Sequence, residues 1–138
     1  MTRCCKELRE LCDSYQEGLV TSAALMPDDT DSHYYYGQDQ NEMGKYIHIL
    51  MPMIYRYSYG YSDSQCVRVA DKFADNTAGA QCWVGTTTYK GDDSKVYPMD
   101  EDGILKDCNV YKDSRAKGIV LFRYGLGTFP DMTGFRKD

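Results

Sequence analysis

A chain of 138 residues, 42% hydrophobic and 27% charged, has the size and composition of one globular domain, which excludes a low-complexity or disordered polymer. A net charge of −5 with dispersed basic residues argues against nucleic-acid binding, and no run of about 18 apolar residues is present to insert in a membrane. The unusual count is tyrosine, 13 against 4 Phe and 1 Trp; with an apolar ring and a polar tip, it suits half-buried β-surfaces built for contact.

In chain order, the spacing predicts a helix over 3–17, because Cys4, Cys5, Leu8, Leu11, Cys12, Tyr15 and Leu19 recur on one face. Thr2 is the expected N-cap and Gly18 the stop, with Cys4, Cys5 and Cys12 on a buried stripe as packing residues. The run 27–32 breaks the chain, and beyond it the alternation of apolar and polar residues between turn clusters predicts strands. These are expected at 33–36, 45–51, 53–61, 65–70, 81–90, 95–97, 108–112 and 118–124, with a C-terminal loop over 125–138.

Within 47–61 the odd positions read Ile47, Ile49, Met51, Met53, Tyr55, Tyr57, Tyr59 and Tyr61, so a continuous strand would place four tyrosines on one face. The opposite face turns polar after Ile54, and Pro52 marks an edge, a bend or a break. Tyr55, Tyr57, Tyr59 and Tyr61, with Arg56 beside them, are the candidate ligand- or partner-binding residues. They would form an aromatic platform or line the inside of a barrel.

Catalytic motifs are not supported. The two histidines, His33 and His48, lack a nucleophile context, and His48 is read as a satisfied structural residue. The acidic loops 28–33 and 98–103 miss the anchor positions of a calcium loop, so no metal site is assigned. Gly125-Leu126-Gly127 opens like a dinucleotide fingerprint but ends in Pro130 without a helix, and no cofactor is expected. The six cysteines show no Cys-x-x-Cys pair, which removes the usual zinc and redox signatures; Cys66, Cys82 and Cys108 could be free, bridged, or points of covalent attachment.

The resulting expectation is one domain over 1–138, a mainly β (α+β) fold with the N-terminal helix packed on a curved antiparallel sheet or small barrel of six to eight strands. The first functional reading is a non-catalytic protein-interaction or structural subunit with a tyrosine-rich β-surface and a protein partner or oligomer. A lipocalin-like carrier of a small apolar ligand is the alternative, and an enzyme the third. Without a leader-like start or an Asn-x-Ser/Thr acceptor, the chain is read as intracellular, or secreted if a leader was removed.

Overall fold

The computed structural model describes residues 1–27, 32–92 and 94–133. Helix α1 (Thr2–Tyr15) forms where its period placed it, held along its outer side by the i,i+4 pairs Arg3–Glu7 and Arg9–Asp13. Its apolar stripe is not buried as expected. Cys5 is covered, but Cys4, Leu8, Leu11 and Tyr15 are exposed, the last two by 66% and 86%.

The antiparallel expectation is overturned. Strands β1 (Ser22–Leu25), β2 (Ile49–Pro52), β3 (Gln81–Thr87) and β6 (Gly118–Phe122) form one all-parallel sheet in the order β1-β2-β3-β6. The remaining strands, β4 (Tyr89–Asp92) and β5 (Lys95–Pro98), make a separate antiparallel hairpin. Parallel neighbours require crossovers, and the segments between the strands supply them as helices.

Two expected strands are therefore wholly helical and two more partly so. Residues 33–36 fall in α2 (Ser32–Tyr36), and the chain then enters α3 (Gln40–Gly44), whose N-cap Asp39 accepts from the Glu42 N–H. The expected strand 45–51 shortens to β2, and 53–61 holds a bridge from Met53 to Gly85 and then a one-turn helix, α4 (Arg56–Tyr59), closed by Gly60 at φ 66°. Residues 65–70 lie within α5 (Asp63–Ala74), which opens on a reciprocal capping box between Ser62 and Gln65. Residues 108–112 straddle the end of α6 (Glu101–Asn109), whose N-cap Asp100 accepts from the Gly103 N–H. Glu101 and Asp102 occupy its first turn, where negative charge meets the positive end of the helix dipole, so the acidic run 98–103 is helix-capping chemistry. The expected strands at 81–90, 95–97 and 118–124 are present, shortened or divided, as β3 with β4, β5 and β6.

The core lies on one side of the sheet. Leu25, Leu50, Ile54, Cys82 and Val84 pack with Cys66, Ala70 and Phe73 of α5, together with Met43, Ile47, Tyr111 and Ala116. A smaller cluster of Met99, Ile104 and Cys108 takes in Tyr57, Ile119, Leu121 and Met132. Helix α3 contacts β2, and α5 and α6 both contact β3. A sheet whose strands are added in sequence by right-handed crossovers collects all its helices on one face.

Candidate functional site

Since helices cover one sheet face, the residues that alternate with the core positions make up the other. The β2–β3 ladder pairs Ile49 with Gln81 and Met53 with Gly85, which sets Met51 opposite Trp83. Adding the outer ladders gives a row Ala24, Met51, Trp83, Gly118, a second row Met53, Gly85, Val120, and a third of Thr87 and Phe122. Ala24 is exposed, Phe122 is 42% exposed, and Ile49, Met51, Met53, Trp83 and Val120 are half-buried. Gly85 and Thr87 of this face are buried, Gly85 beneath the ring of Tyr55.

Two glycines shape it. A Cβ on Gly118 would stand 2.6 Å from Cδ2 of Trp83, so the indole lies directly on the β6 backbone, with its N–H donated to Gln81 at 2.9 Å. A Cβ on Gly85 would meet the Tyr55 ring at 3.8 Å, and Tyr55 stacks on Phe122 at 5.6 Å and 15°. Burial pushes the Tyr55 phenol up, with Tyr89 and Tyr59 adding to the effect. The face is thus an apolar, aromatic-topped surface with methionines at its centre. A cleft of about 710 Å³ continues from Ile49 and Trp83 to Arg9, Lys45 and His48 at the start of the strands.

The tyrosine row splits three ways. Tyr55 alone reaches the sheet face. Arg56 and Tyr57 turn to the helix side, where the Arg56 guanidinium bridges Asp63 and Asp107, at 3.1 Å from the latter, and the Tyr57 hydroxyl donates to Asp107 at 3.3 Å. Tyr59 and Tyr61 stack on each other at 5.2 Å at the rim, Tyr59 exposed and Tyr61 half-buried. Lys90 stands 5.5 Å from the Tyr57 ring. Asp107 is 2% exposed; burial pushes its carboxyl up against the opposing pull of Tyr57, Arg56 and Lys90. Burial likewise pushes Tyr57 up to about 12. One guanidinium bridges both carboxylates, so the cluster clamps α4 to α5 and α6.

The remaining candidates fall in the core or at the strand ends. Cys66, Cys82 and Cys108 are outside any disulfide and are buried, so none presents its sulfur at the surface. Both ring nitrogens of His48 face polar neighbours, Nδ1 at 3.0 Å from the Thr21 N and Oγ1 and Nε2 at 2.7 Å from Arg9, and Nδ1 accepts from the Thr21 N–H. The side chain of His33 and most of the acidic loop 28–33 lie outside the described residues, as do 134–138 of the expected C-terminal loop. Among the described residues no group of three metal-ligating side chains converges, and no helix is long and apolar enough to cross a membrane. The sequence reading missed Trp83, Phe122 and Gly118. A lone tryptophan and two glycines inside strand patterns are the signals that could have found them.

No family model matches the chain, and no curated protein matches it. A solved structure from Bacteroides thetaiotaomicron, provisionally assigned as an alpha-L-fucosidase, superposes with a TM-score of 0.63 at 14% identity. The match covers 88% of this chain and 41% of that one, so this chain spans less than half of its length. At that identity the likeness is one of fold, and it agrees with the parallel α/β layer described above.

Proposed function

We propose that the chain is a non-catalytic association module that binds protein through its uncovered sheet face. The observation that supports this is the set of apolar and aromatic side chains Ala24, Met51, Met53, Trp83, Val120 and Phe122, exposed or half-buried on a sheet type that is ordinarily covered on both faces. A parallel sheet open on one side leaves in water the area that would reward association at about 25 cal/mol per Å². The contact surface differs from the one expected: it is the parallel sheet face topped by Trp83, Tyr55 and Phe122, where a tyrosine-rich strand had been read. The apolar-ligand alternative was framed on a closed antiparallel barrel, and the sheet is parallel instead.

The test is a photoreactive phenylalanine analogue in place of Phe122, with the same analogue in place of the exposed Tyr97 on the β4–β5 hairpin as control. Irradiated in the cells that make the protein, the chain carrying the analogue at 122 should form protein adducts well above the Tyr97 control. Equal yields at the two positions would refute binding through the face.

A further inference from the structure

We infer that the cleft at the start of the strands binds a small organic carboxylate, gripped by Arg9 and His48 and laid against Trp83. This goes beyond the association reading and does not depend on it. The first support is a mismatch of hydrogen-bonding roles. The Thr21 N–H points at Nδ1 of His48 at 3.0 Å, and a backbone N–H only donates, so Nδ1 accepts and the ring carries its proton on Nε2. Nε2 in turn stands 2.7 Å from Nη1 of Arg9, which has hydrogens and no lone pair to offer. Two donors therefore converge on one spot. Asp13 does not resolve the conflict, since it holds the guanidinium through Nε at 2.7 Å. An oxyanion bridging the pair turns a repulsive contact into two charge-assisted hydrogen bonds. Nitrogens this close make a fork hardly wider than that of one guanidinium, which is the width two carboxylate oxygens match.

The fork is held in place by the backbone. The N–H groups of His48 and Ile49 donate to the Thr21 carbonyl at 3.2 and 3.1 Å, and the His48 carbonyl accepts from the Gln81 N–H at 2.8 Å, so the residue is tied to the chain entering β1 and to the start of β3. Another wall of the cleft is as firm. Gly44 lies so close to the turn at Thr77 that a Cβ would stand 1.9 Å from the Thr77 carbonyl oxygen, and the Thr77 hydroxyl closes that turn by donating to the Ala80 carbonyl at 2.7 Å. A site fixed before its ligand arrives loses little entropy on binding.

Charge and shape choose the ligand class. The cleft, at about 710 Å³, has the volume of a small-molecule site, and it is lined by Arg9, Lys45 and His48 with, among the described residues, no Asp or Glu, in a chain of net charge −5. Asp13 and Glu42 pair with Arg9 and Lys45 from outside the lining, so the positive charge left over is small and suits a single carboxylate better than a doubly charged phosphate. The rest of the wall is apolar, with Val20 exposed, Ile49 half-buried and the Trp83 indole fixed between Gln81 and Gly118. A flat apolar body behind the carboxylate matches that wall.

The experiment uses the whole purified chain, with benzoate as the probe. Nitrogen NMR of the free chain should find the His48 proton on Nε2. On titration with benzoate, that signal and the Trp83 indole N–H should shift together and saturate. Benzamide, of the same shape without the charge, should bind about tenfold more weakly or worse. Arg9→Gln should weaken benzoate by about the same factor, with far-UV circular dichroism checking the fold. If that variant does not fold, His48→Asn decides the matter, because its amide oxygen keeps an acceptor for the Thr21 N–H and its side chain removes the Nε2 donor; the same loss is expected. A proton on Nδ1 in the free chain overturns the inference, since Nε2 then accepts from Arg9 and no fork exists. So do shifts that fail to saturate, benzamide binding as tightly as benzoate, or a folded variant that binds benzoate like the parent. Phenyl phosphate binding more tightly than benzoate would overturn the carboxylate as the head group.

Discussion

At the scale of single residues, space and charge decide. Gly118 exists because the Trp83 indole occupies the volume its side chain would take, so Gly118→Ala must tilt the ring off the β6 backbone. The expected cost is about 1–3 kcal/mol, the range for overpacking. Trp83 is the only tryptophan, so urea unfolding followed by its fluorescence reads both the lost stability and the new environment; an unchanged midpoint and spectrum would show that the ring does not lie there. Asp107 gives a pH dependence of definite sign. Burial raises its carboxyl above the ordinary value of 3.8, so its contribution to stability is complete below that value and is lost as pH rises through the folded value. Relative to Asp107→Asn, which cannot ionise, the parent chain should lose stability as pH rises through the acidic range. Urea midpoints of the two across that range test it, and the opposite slope would mean that Arg56 and Tyr57 outweigh burial.

Individual elements show what local sequence could and could not say. The helix over 3–17 was legible because its period runs for four turns, long enough to exclude a strand. Its exposure was not legible, since a stripe says which face is apolar and nothing of what covers it. At 65–70 the β-branched Val67 and Val69 favoured a strand, while Ser62 and Gln65 already spelled a capping box and Cys66, Ala70 and Phe73 a helical stripe. That box predicts that Ser62→Ala, which removes the oxygen 3.3 Å from the Gln65 N–H, costs about 1 kcal/mol. A change of less than a few tenths, measured in urea, would show the cap to be idle. The tyrosine alternation at 55–61 fits a strand and a single helical turn equally well. The deciding partner, Asp107, lies 51 residues from Arg56, beyond any local pattern. Of the site, Ile49, Met51, Met53 and Tyr55 were read onto one face in advance, and Tyr55 alone among them as a contact residue.

For the whole molecule, the direction of the strands was the property least visible in advance, because pairing joins segments far apart while alternation is local. Once 63–74 and 101–109 are recognised as helices, strands alternate with helices and the parallel sheet follows. The same layer fixes where the sulfurs lie, and that placement makes the chain its own stopwatch. Thiolates react and thiols do not, so burial, which pushes the Cys66 thiol up and Cys108 up to about 11, silences them twice, by access and by protonation. In a pulse of an alkylating reagent, Cys4 and Cys12 should be modified first. Cys66, Cys82 and Cys108, on α5, β3 and α6, should then follow at rates set by opening of the layer and independent of reagent concentration. Mass spectrometry of the labelled peptides gives three separate readings from one experiment. Equal rates mean that helices and sheet come apart as one unit, whereas a faster Cys108 means that α6 lifts away while β3 and α5 remain closed.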